Sequence, residues 1–177
     1  MAKIVPQTLQ NQETLDFKCK TSRPLRYMSI DTIISPDAIV PLLKTTSERG
    51  VTATLSKKAS DLHGIENTQI SDAIRSQTPS ALQNLSTGAA ILHITLPTQK
   101  NPCAVFARLA TRVEFTAAND EPFDLILLLV TGESKSNQHL QILAEISRLF
   151  RNRSLCNKLR GSTTSDAMYA LLTGHSN

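Results

Sequence analysis

The stretch FDLILLLV, residues 123–130, decides the fold of this protein. Every residue from Leu125 to Val130 is apolar. Successive side chains of a strand point to opposite faces, so a strand of this composition needs cover on both faces, as in a sheet with helices on each side. The run is far shorter than the roughly 20 apolar residues that a membrane-spanning helix requires. We therefore predict a fully covered strand and no membrane insertion.

Two more runs have the length and composition of strands, AAILHITL (89–96) and CAVFARLA (103–110). Helical periodicity precedes and follows the three strands. The order of helices first, strands in the middle and helices last predicts one α/β domain, a mixed β-sheet flanked by helices on both faces.

The helices before the strands are predicted from their caps and spacing. A short helix begins at the N-cap Ser35 and is limited by Pro41. A second helix begins near Ser47 and is ended by Gly64, because a glycine commonly terminates a helix. Its apolar positions recur at helical spacing, at Val51, Leu55, Ala59 and Leu62. Asn67 is predicted to cap a third helix.

The segment 75–88 contains serine, asparagine and a proline, and we predict a loop there. A helix over residues 137–151 follows the strands. Its predicted inner side consists of Leu140, Ile142, Leu143, Ile146, Leu149 and Phe150. Its predicted outer side carries Glu145, Arg148 and Arg151. A last helix is predicted to be capped near Thr164 or Ser165.

Length and composition fit a single domain. The chain has 177 residues, of which 40% are apolar, and this is enough for a sizeable core. Residues 1–29 are polar with little periodicity and predict an arm or a disordered tail, so the domain itself spans residues 30–177. The N-terminal residues lack the apolar segment of a signal peptide.

The cysteines and the charge exclude other classes. Cys19, Cys103 and Cys156 are widely spaced and form no CxxC pair, so we expect reduced thiols in a cytoplasmic protein rather than disulfides or a zinc site. The net charge of +4 is mild, without the interleaved aromatic residues typical of nucleic-acid binders. One basic stretch contains Arg148, Arg151, Arg153, Lys158 and Arg160. We interpret it as a solvated face or a protein-docking patch, and we expect no nucleic-acid partner.

His93 is the main candidate for chemistry, because it stands inside an apolar strand. A histidine there costs desolvation free energy unless it has a partner or opens into a cleft. The pattern alone leaves two interpretations open, a hydrogen-bonded core histidine or a reactive imidazole. His63 and His175 are predicted to be surface residues.

His139 is the second candidate. It follows Ser136 and Asn137, either of which can be a helix N-cap, so it lies in the first turn of a helix. Free backbone N–H groups there favour an anion, and a neutral imidazole beside them is suited to stabilise a phosphoryl group. The simpler alternative is a solvated polar residue. No GxGxxG, GxxxxGK[ST], GxSxG or HExxH motif is present.

Three stretches carry a resemblance to a known family. GAAILHITL (88–96) resembles the Gly-rich segment and apolar strand, GIAIPH, that bears the active-site histidine of the nitrogen-regulatory enzyme IIA proteins of the bacterial phosphotransferase system. These are EIIA type-2 domains related to the mannitol and fructose IIA domains. VFARLATRVEFTAANDEPFDLILLLV (105–130) and HLQILAEISRLFRNRSLCNKLRGSTTSDAMYALL (139–172) are similar to the family's later strands and C-terminal helices.

The resemblance implies a phosphotransferase/anion-transport-like fold and a phosphoryl carrier rather than a turnover enzyme. His93 would accept a phosphoryl group from a histidine phosphocarrier protein, and His139 would stabilise that group. Regulatory targets in the family include potassium transporters and sensor kinases. No metal or organic cofactor is implied.

The chain departs from the family pattern before the histidine. Aligned without gaps, the family's arginine falls on Gln77, its proline on Leu92, and of its glycine run only Gly88 is present. We predict that Gly88 and the hydroxyls of Ser86 and Thr87 bind phosphate in part. Glutamine does not replace the bidentate phosphate contact of a guanidinium, so the alternative is a diverged, non-phosphorylated protein-binding module. A sugar-transporting IIA unit is disfavoured, because LRGSTTSDAMYALL (159–172) is more similar to the nitrogen-type branch.

Overall fold

The structure is a computed structural model and describes residues 29–116, 121–133 and 138–174. Apart from Ser29, the predicted N-terminal arm lies outside these residues, as do Cys19, His175 and the two predicted caps before His139. Within the described ranges the chain forms a mixed five-stranded sheet between two layers of helices. The predicted fold class is therefore confirmed.

The secondary structure has the following bounds. The strands are β1 Ile39–Leu43, β2 Leu82–Leu85, β3 Ala89–Thr95, β4 Cys103–Val113 and β5 Phe123–Thr131. The helices are α1 Glu48–His63, α2 Asn67–Ala81, α3 Gln138–Arg151, α4 Arg153–Gly161 and α5 Ser165–Thr173, and 3-10 turns occupy Ile30–Thr32 and Pro36–Ala38.

The strand predicted to be covered on both faces is β5, which lies inside the sheet. The strand order is β1-β4-β5-β3-β2, and β5 pairs antiparallel with β4 and parallel with β3. Leu125, Leu127 and Leu129 join a core with α3, α4 and α5. Ile126, Leu128 and Val130 join a second core with α1 and α2. The predicted cover on both faces is confirmed.

The region before β2 combines correct and wrong predictions. α1 begins and ends as predicted, since Ser47 Oγ accepts the Gly50 N–H at 3.2 Å and Gly64 adopts a left-handed φ of 65°. The predicted helix after Ser35 is wrong, because a single 3-10 turn leads directly into β1. Pro41 has no N–H to donate, which an edge strand tolerates, and its carbonyl accepts a 2.8 Å hydrogen bond from Arg108 Nε.

The predicted loop over 75–88 is also wrong. α2 continues to Ala81 and β2 follows it, pairing antiparallel with β3 from Leu82↔Leu92 to Leu85↔Ala89. Pro79 lies in the last turn of α2 and removes one N–H from the helical ladder. The Leu82 N–H still reaches the Thr78 carbonyl and closes the last turn.

The packing of α3 differs from the prediction at two positions. Leu140 is 53% exposed and Glu145 only 3% exposed, the reverse of the expected orientations. Glu145 lies three residues after Ile142 and four before Leu149, so it shares their side of the helix. The short helix α4 was not anticipated.

Arg160 on α4 connects the C-terminal helices to the sheet. Its guanidinium binds both carboxylate oxygens of Asp124, with Nε–Oδ2 at 2.8 Å and Nη2–Oδ1 at 2.6 Å. Nη2 also donates to the Thr87 carbonyl at 2.6 Å, and the Gly88 carbonyl accepts the Asp124 N–H at 3.0 Å. We call these four residues the latch. Arg160 is thus committed to the fold and is not part of a solvated basic face.

We expect Arg160→Met to lower the free energy of unfolding by about 2–4 kcal/mol, because it leaves the Asp124 carboxylate without its main partner. The Asp124 side chain is only 17% exposed. Urea unfolding followed by circular dichroism measures the change. The control is Arg75→Ala, which breaks an ion pair to Asp72 whose side chains are 79% and 71% exposed, and it should change stability by less than about 0.5 kcal/mol. Equal losses in the two variants would contradict the role of the latch.

Candidate functional site

His93 lies near the carboxyl end of β3 and is partly exposed. β3 and β5 are parallel, with His93 opposite Leu129 and Thr95 opposite Thr131, so both strands end at the same edge of the sheet. Ligands of open α/β sheets bind at the carboxyl ends of the strands. The one histidine in a described strand therefore lies where such folds carry their chemistry.

The structure brings His93 and His139 together, as expected from the sequence. Their ring centroids are 6.2 Å apart and the ring planes are inclined by 27°. His139 lies in the first turn of α3, whose leading N–H groups have no acceptor within the helix. His93 Nε2 is 2.8 Å from the hydroxyl of Thr131, the last residue of β5. His93 thus sits between a buried hydroxyl and a second imidazole.

The surroundings of His93 favour its neutral form. Burial lowers the pKa of the imidazole below its ordinary value of 6.5, and the nearby His139 lowers it further. Both effects act in the same direction, since desolvation and a neighbouring positive charge each disfavour the imidazolium. A neutral ring retains a nitrogen lone pair, which a nucleophile needs.

A cleft of about 500 Å³ opens beside His93. It lies between α2 and α3, at the carboxyl end of β3. There β3 extends beyond the last residue that is paired with β2. Its lining consists of Ser76, Gln77, Ser80, Ala81, Gln83, Ile91, His93 and Leu143. The imidazole therefore has access to a space with hydroxyl and amide groups on its walls.

Gln77, the residue at the position of the family's arginine, holds the edge of β3. Its Nε2 donates to the Thr95 carbonyl at 3.0 Å, and its Oε1 accepts the Thr95 N–H at 3.0 Å. Thr95 lies beyond the start of β2, and the side-chain amide of Gln77 makes the backbone hydrogen bonds that a neighbouring strand would make there. In this arrangement the amide binds backbone rather than pointing freely into the cleft.

The predicted phosphate-binding residues Ser86, Thr87 and Gly88 are not part of this cleft. Gly88 precedes β3 and His93 is five residues further along, so the strand separates them by roughly 16 Å. The Thr87 hydroxyl donates to the Phe150 carbonyl at 2.6 Å, and the carbonyls of Thr87 and Gly88 belong to the latch. The backbone at position 88 has a left-handed φ of 75°, which favours glycine because it has no Cβ. The prediction is corrected: these residues build the turn and the latch, at the opposite end of the strand from the histidines.

A larger groove of about 830 Å³ lies between α1 and α2. Its lining consists of Glu48, Arg49, Thr52, Ala53, Ser56, Ser71, Ile74, Arg75 and Thr78. It contains neither histidine nor cysteine, so we assign the chemistry to the smaller cleft beside His93. Size alone does not decide between the two spaces.

Other candidate chemistries find no support in the described ranges. No group of three or more His, Cys, Asp or Glu side chains there could hold a metal ion. Within the same residues, no helix is long and apolar enough to cross a membrane. Cys103 and Cys156 are buried free thiols, and burial raises the pKa of Cys103 to about 12, so this thiol is not a ready nucleophile.

Thr131 was missed by the sequence analysis. The only local signal is its position at the end of the apolar run, one residue after Val130. Its contact with His93 depends on the parallel pairing of β3 with β5, which the sequence does not reveal.

Comparison with known proteins identifies the family. Residues 32–175 match the family described as phosphoenolpyruvate-dependent sugar phosphotransferase system, EIIA 2. The chain is 32% identical to a nitrogen regulatory protein of Bradyrhizobium diazoefficiens over 145 residues, which cover 82% of this chain and 95% of the relative. The chain therefore belongs to the EIIA type-2 family of the phosphotransferase system, and the resemblance to its nitrogen-regulatory members is confirmed.

Solved structures agree on the fold. The nitrogen regulatory protein IIA-Ntr of Neisseria meningitidis superimposes with a TM-score of 0.75 at 21% identity, covering 81% of this chain and 99% of that protein. Enzyme IIA-mannitol of Escherichia coli, solved in complex with phosphorylated enzyme IIB-mannitol, gives a TM-score of 0.67 at 15% identity and covers 80% and 98% of the two chains.

We expect His93 to titrate below pH 6.5 and His139→Ala to raise its pKa without restoring 6.5, because burial, the larger cause, remains. The unfolded chain binds the proton at the higher pKa, so the free energy of unfolding falls as pH drops below about 6.5. His139→Ala should weaken this dependence.

Proton NMR of the ring Hε1 signals measures the titration. His63→Ala is the control, because His63 lies at the end of α1 and its pKa is lowered by its own burial. It should leave the His93 curve unchanged. A His93 curve that is the same with and without His139 would contradict the proposed coupling.

Proposed function

We propose that this protein is a regulatory phosphocarrier of the phosphotransferase system, which accepts a phosphoryl group on His93 from a histidine phosphocarrier protein and signals by binding target proteins. The observation that carries the proposal is the pairing of a neutral, partly exposed His93 with His139, 6.2 Å between ring centroids, beside an open cleft. Family membership supports the same assignment.

The proposed transfer step exchanges one N–P bond for another. A ring nitrogen of His93 forms the new N–P bond with its lone pair, while the N–P bond of the donor histidine breaks and its electron pair returns to the donor. Such a transfer depends mainly on positioning and on donors around the phosphoryl oxygens. His139, whose ring centroid lies 6.2 Å from that of His93, and the leading N–H groups of α3 are the donors that we propose for these oxygens.

The signalling step follows from the change of charge. A phosphoryl group adds about −1.5 to −2 charges at neutral pH and three strong acceptor oxygens. It would appear beside Leu140, a 53% exposed apolar residue directly after His139. A partner that packs on this surface therefore meets either an apolar, neutral patch or an anionic one. Potassium transporters and sensor kinases are the classes of target that we propose.

One observation favours the alternative of a non-phosphorylated binding module. Gln77 uses both its donor and its acceptor on the Thr95 backbone, and no arginine is among the described residues that line the cleft. In that case the same cleft and the α3 surface would serve only for docking. The following experiments separate the two functions.

We expect the wild-type chain to gain an acid-labile phosphate when it is incubated with phosphoenolpyruvate and the upstream phosphotransfer proteins. His93→Ala should gain none. His139→Ala should be labelled about a hundred-fold more slowly, because one donor to the phosphoryl group is lost. Phosphorus NMR and mass spectrometry measure the label. His139→Gln keeps a hydrogen-bond donor, so its labelling rate should lie between those of the wild type and His139→Ala. An unlabelled wild type, under conditions that label a relative with the full family motif, would establish the binding module instead.

We expect Gln77→Arg to accelerate phosphorylation by about ten-fold or more, because a hydrogen bond to a charged group contributes about 1.5–3 kcal/mol. Gln77→Met is the matched variant, since it removes the contact with Thr95 without adding a charge. Both variants should lose about 1–2 kcal/mol of stability with the two hydrogen bonds. Initial rates of labelling and urea unfolding measure the two effects. If Arg and Met change the rate alike, position 77 has no part in binding the phosphoryl group.

A further inference from the structure

We propose that the groove between α1 and α2 is a binding site for a small phosphate monoester that carries several hydroxyl groups, such as a sugar phosphate. The groove measures about 830 Å³, within the usual range for small-molecule sites, and none of its lining residues lines the cleft beside His93. The site is therefore distinct from the candidate phosphorylation site, and the inference goes beyond the proposed function.

The walls of the groove are two matching rows of side chains. Each helix contributes four residues at successive spacings of three, one and three, which lie on one face of a helix. The row on α1 consists of Arg49, Thr52, Ala53 and Ser56, and the row on α2 consists of Ser71, Ile74, Arg75 and Thr78. Most of these side chains are small, so they leave open space between the two helices. Each row combines hydroxyl groups with one guanidinium.

The Ser56 hydroxyl is the observation that points to a ligand. Ser56 lines the groove and is only 1% exposed, and its Oγ atom has no hydrogen-bond partner among the described residues. Buried polar atoms in proteins are nearly always hydrogen-bonded, and an unpaired one lowers stability. Because this oxygen has no hydrogen bond to lose, a rotation about χ1 to another staggered conformation can turn it toward a ligand. A hydroxyl of the ligand would supply the missing partner.

The charges of the groove favour an anion. Arg49 forms no ion pair with a described residue, so its guanidinium is available to a ligand. Arg75 binds Asp72, but the two side chains are 79% and 71% exposed and such a pair is weak. Among the described lining residues the only carboxylate is that of Glu48, which accepts hydrogen bonds from the N–H and the hydroxyl of Thr116 at 3.2 and 3.5 Å. Guanidinium groups bind phosphate oxygens with two parallel hydrogen bonds.

The chemistry of the occupant follows from this combination. Phosphate oxygens would bind the two guanidinium groups, and hydroxyl groups of the ligand would bind Ser56 and Ser71, because a hydroxyl both donates and accepts. The hydroxyls of Thr52 and Thr78 donate to backbone carbonyls of their own helices and keep a lone pair for a further donor. Inorganic phosphate would use only the charged groups of the groove, and a neutral sugar would use only the hydroxyl groups.

Isothermal titration calorimetry of the full-length chain with glucose 6-phosphate tests the proposal, and glucose and inorganic phosphate are the matched probes. We expect a Kd below about 1 mM for glucose 6-phosphate, the upper end of the range typical of metabolites. Glucose and inorganic phosphate should each bind at least about ten-fold more weakly, because each lacks groups that hydrogen-bond to the groove. The largest shifts of backbone amide NMR signals should fall on the two rows.

Single substitutions identify the groups that bind. Arg49→Gln should weaken the binding of glucose 6-phosphate at least about ten-fold, because a charged hydrogen-bond donor is lost. Ser56→Ala should weaken it about two- to ten-fold, and the urea midpoint should not fall, because the hydroxyl has no partner to lose. Arg151→Ala removes an exposed arginine of α3 outside the groove and should leave the affinity unchanged. His93→Ala should also bind normally, so the result does not depend on phosphorylation.

The contrary outcomes are distinct. No binding of glucose 6-phosphate in the millimolar range, or shifts centred on the cleft beside His93, would overturn the proposal. Inorganic phosphate that binds as tightly as glucose 6-phosphate would reject the hydroxyl contacts, and glucose that does so would reject the anion site. A lower urea midpoint with unchanged affinity in Ser56→Ala would show that this hydroxyl serves the fold and not a ligand.

Discussion

The parallel hydrogen bonding between β3 and β5 is the constraint on which the site depends. It pairs His93 with Leu129 and Thr95 with Thr131, and a 2.8 Å bond from the Leu96 N–H to the Thr131 carbonyl extends it past the strand end. A slip of one residue would turn every side chain of one strand to the other face. The imidazole would then lose both the Thr131 hydroxyl and the stacked His139. The register of two apolar strands therefore fixes the geometry of the polar residues at their ends.

The two ends of these strands have different roles. At the amino ends, the latch ties α4 to the sheet through the Arg160–Asp124 pair. At the carboxyl ends, His93 contacts the Thr131 hydroxyl and stacks with His139 in the first turn of α3. The Arg160 guanidinium is thus engaged at the end of the strands that is remote from the cleft. Gly88, before β3, thus serves the turn and the latch and takes no part in the histidine site.

Local patterns predicted much of the fold and the central pair of residues. The apolar run of β5, the caps of α1 and the first-turn position of His139 all follow from short-range chemistry. β2 was missed because its pairing with β3 outweighs the loop-like composition of the segment. Thr131 was missed because its contact depends on pairing between distant parts of the chain.

Two of the wrong predictions, for Glu145 and Gly88, could have been avoided from local geometry alone. The helical spacing of Glu145 relative to Ile142 already places it on the buried side. The extended length of a strand already separates Gly88 from the histidine by roughly 16 Å. Local geometry does not show which strands are neighbours. It therefore does not show which groups face His93.

Pro41 and Gln77 have a consequence for how partners can bind. A peptide that adds to a sheet as an extra strand needs a continuous row of free backbone N–H and C=O groups. In β1 that row is interrupted by Pro41, which has no N–H and whose carbonyl is bound by Arg108. On the other side of the sheet, the backbone of Thr95 is occupied by Gln77. Both features disfavour strand addition at these places, so we expect partners to recognise the shape and charge of side chains there.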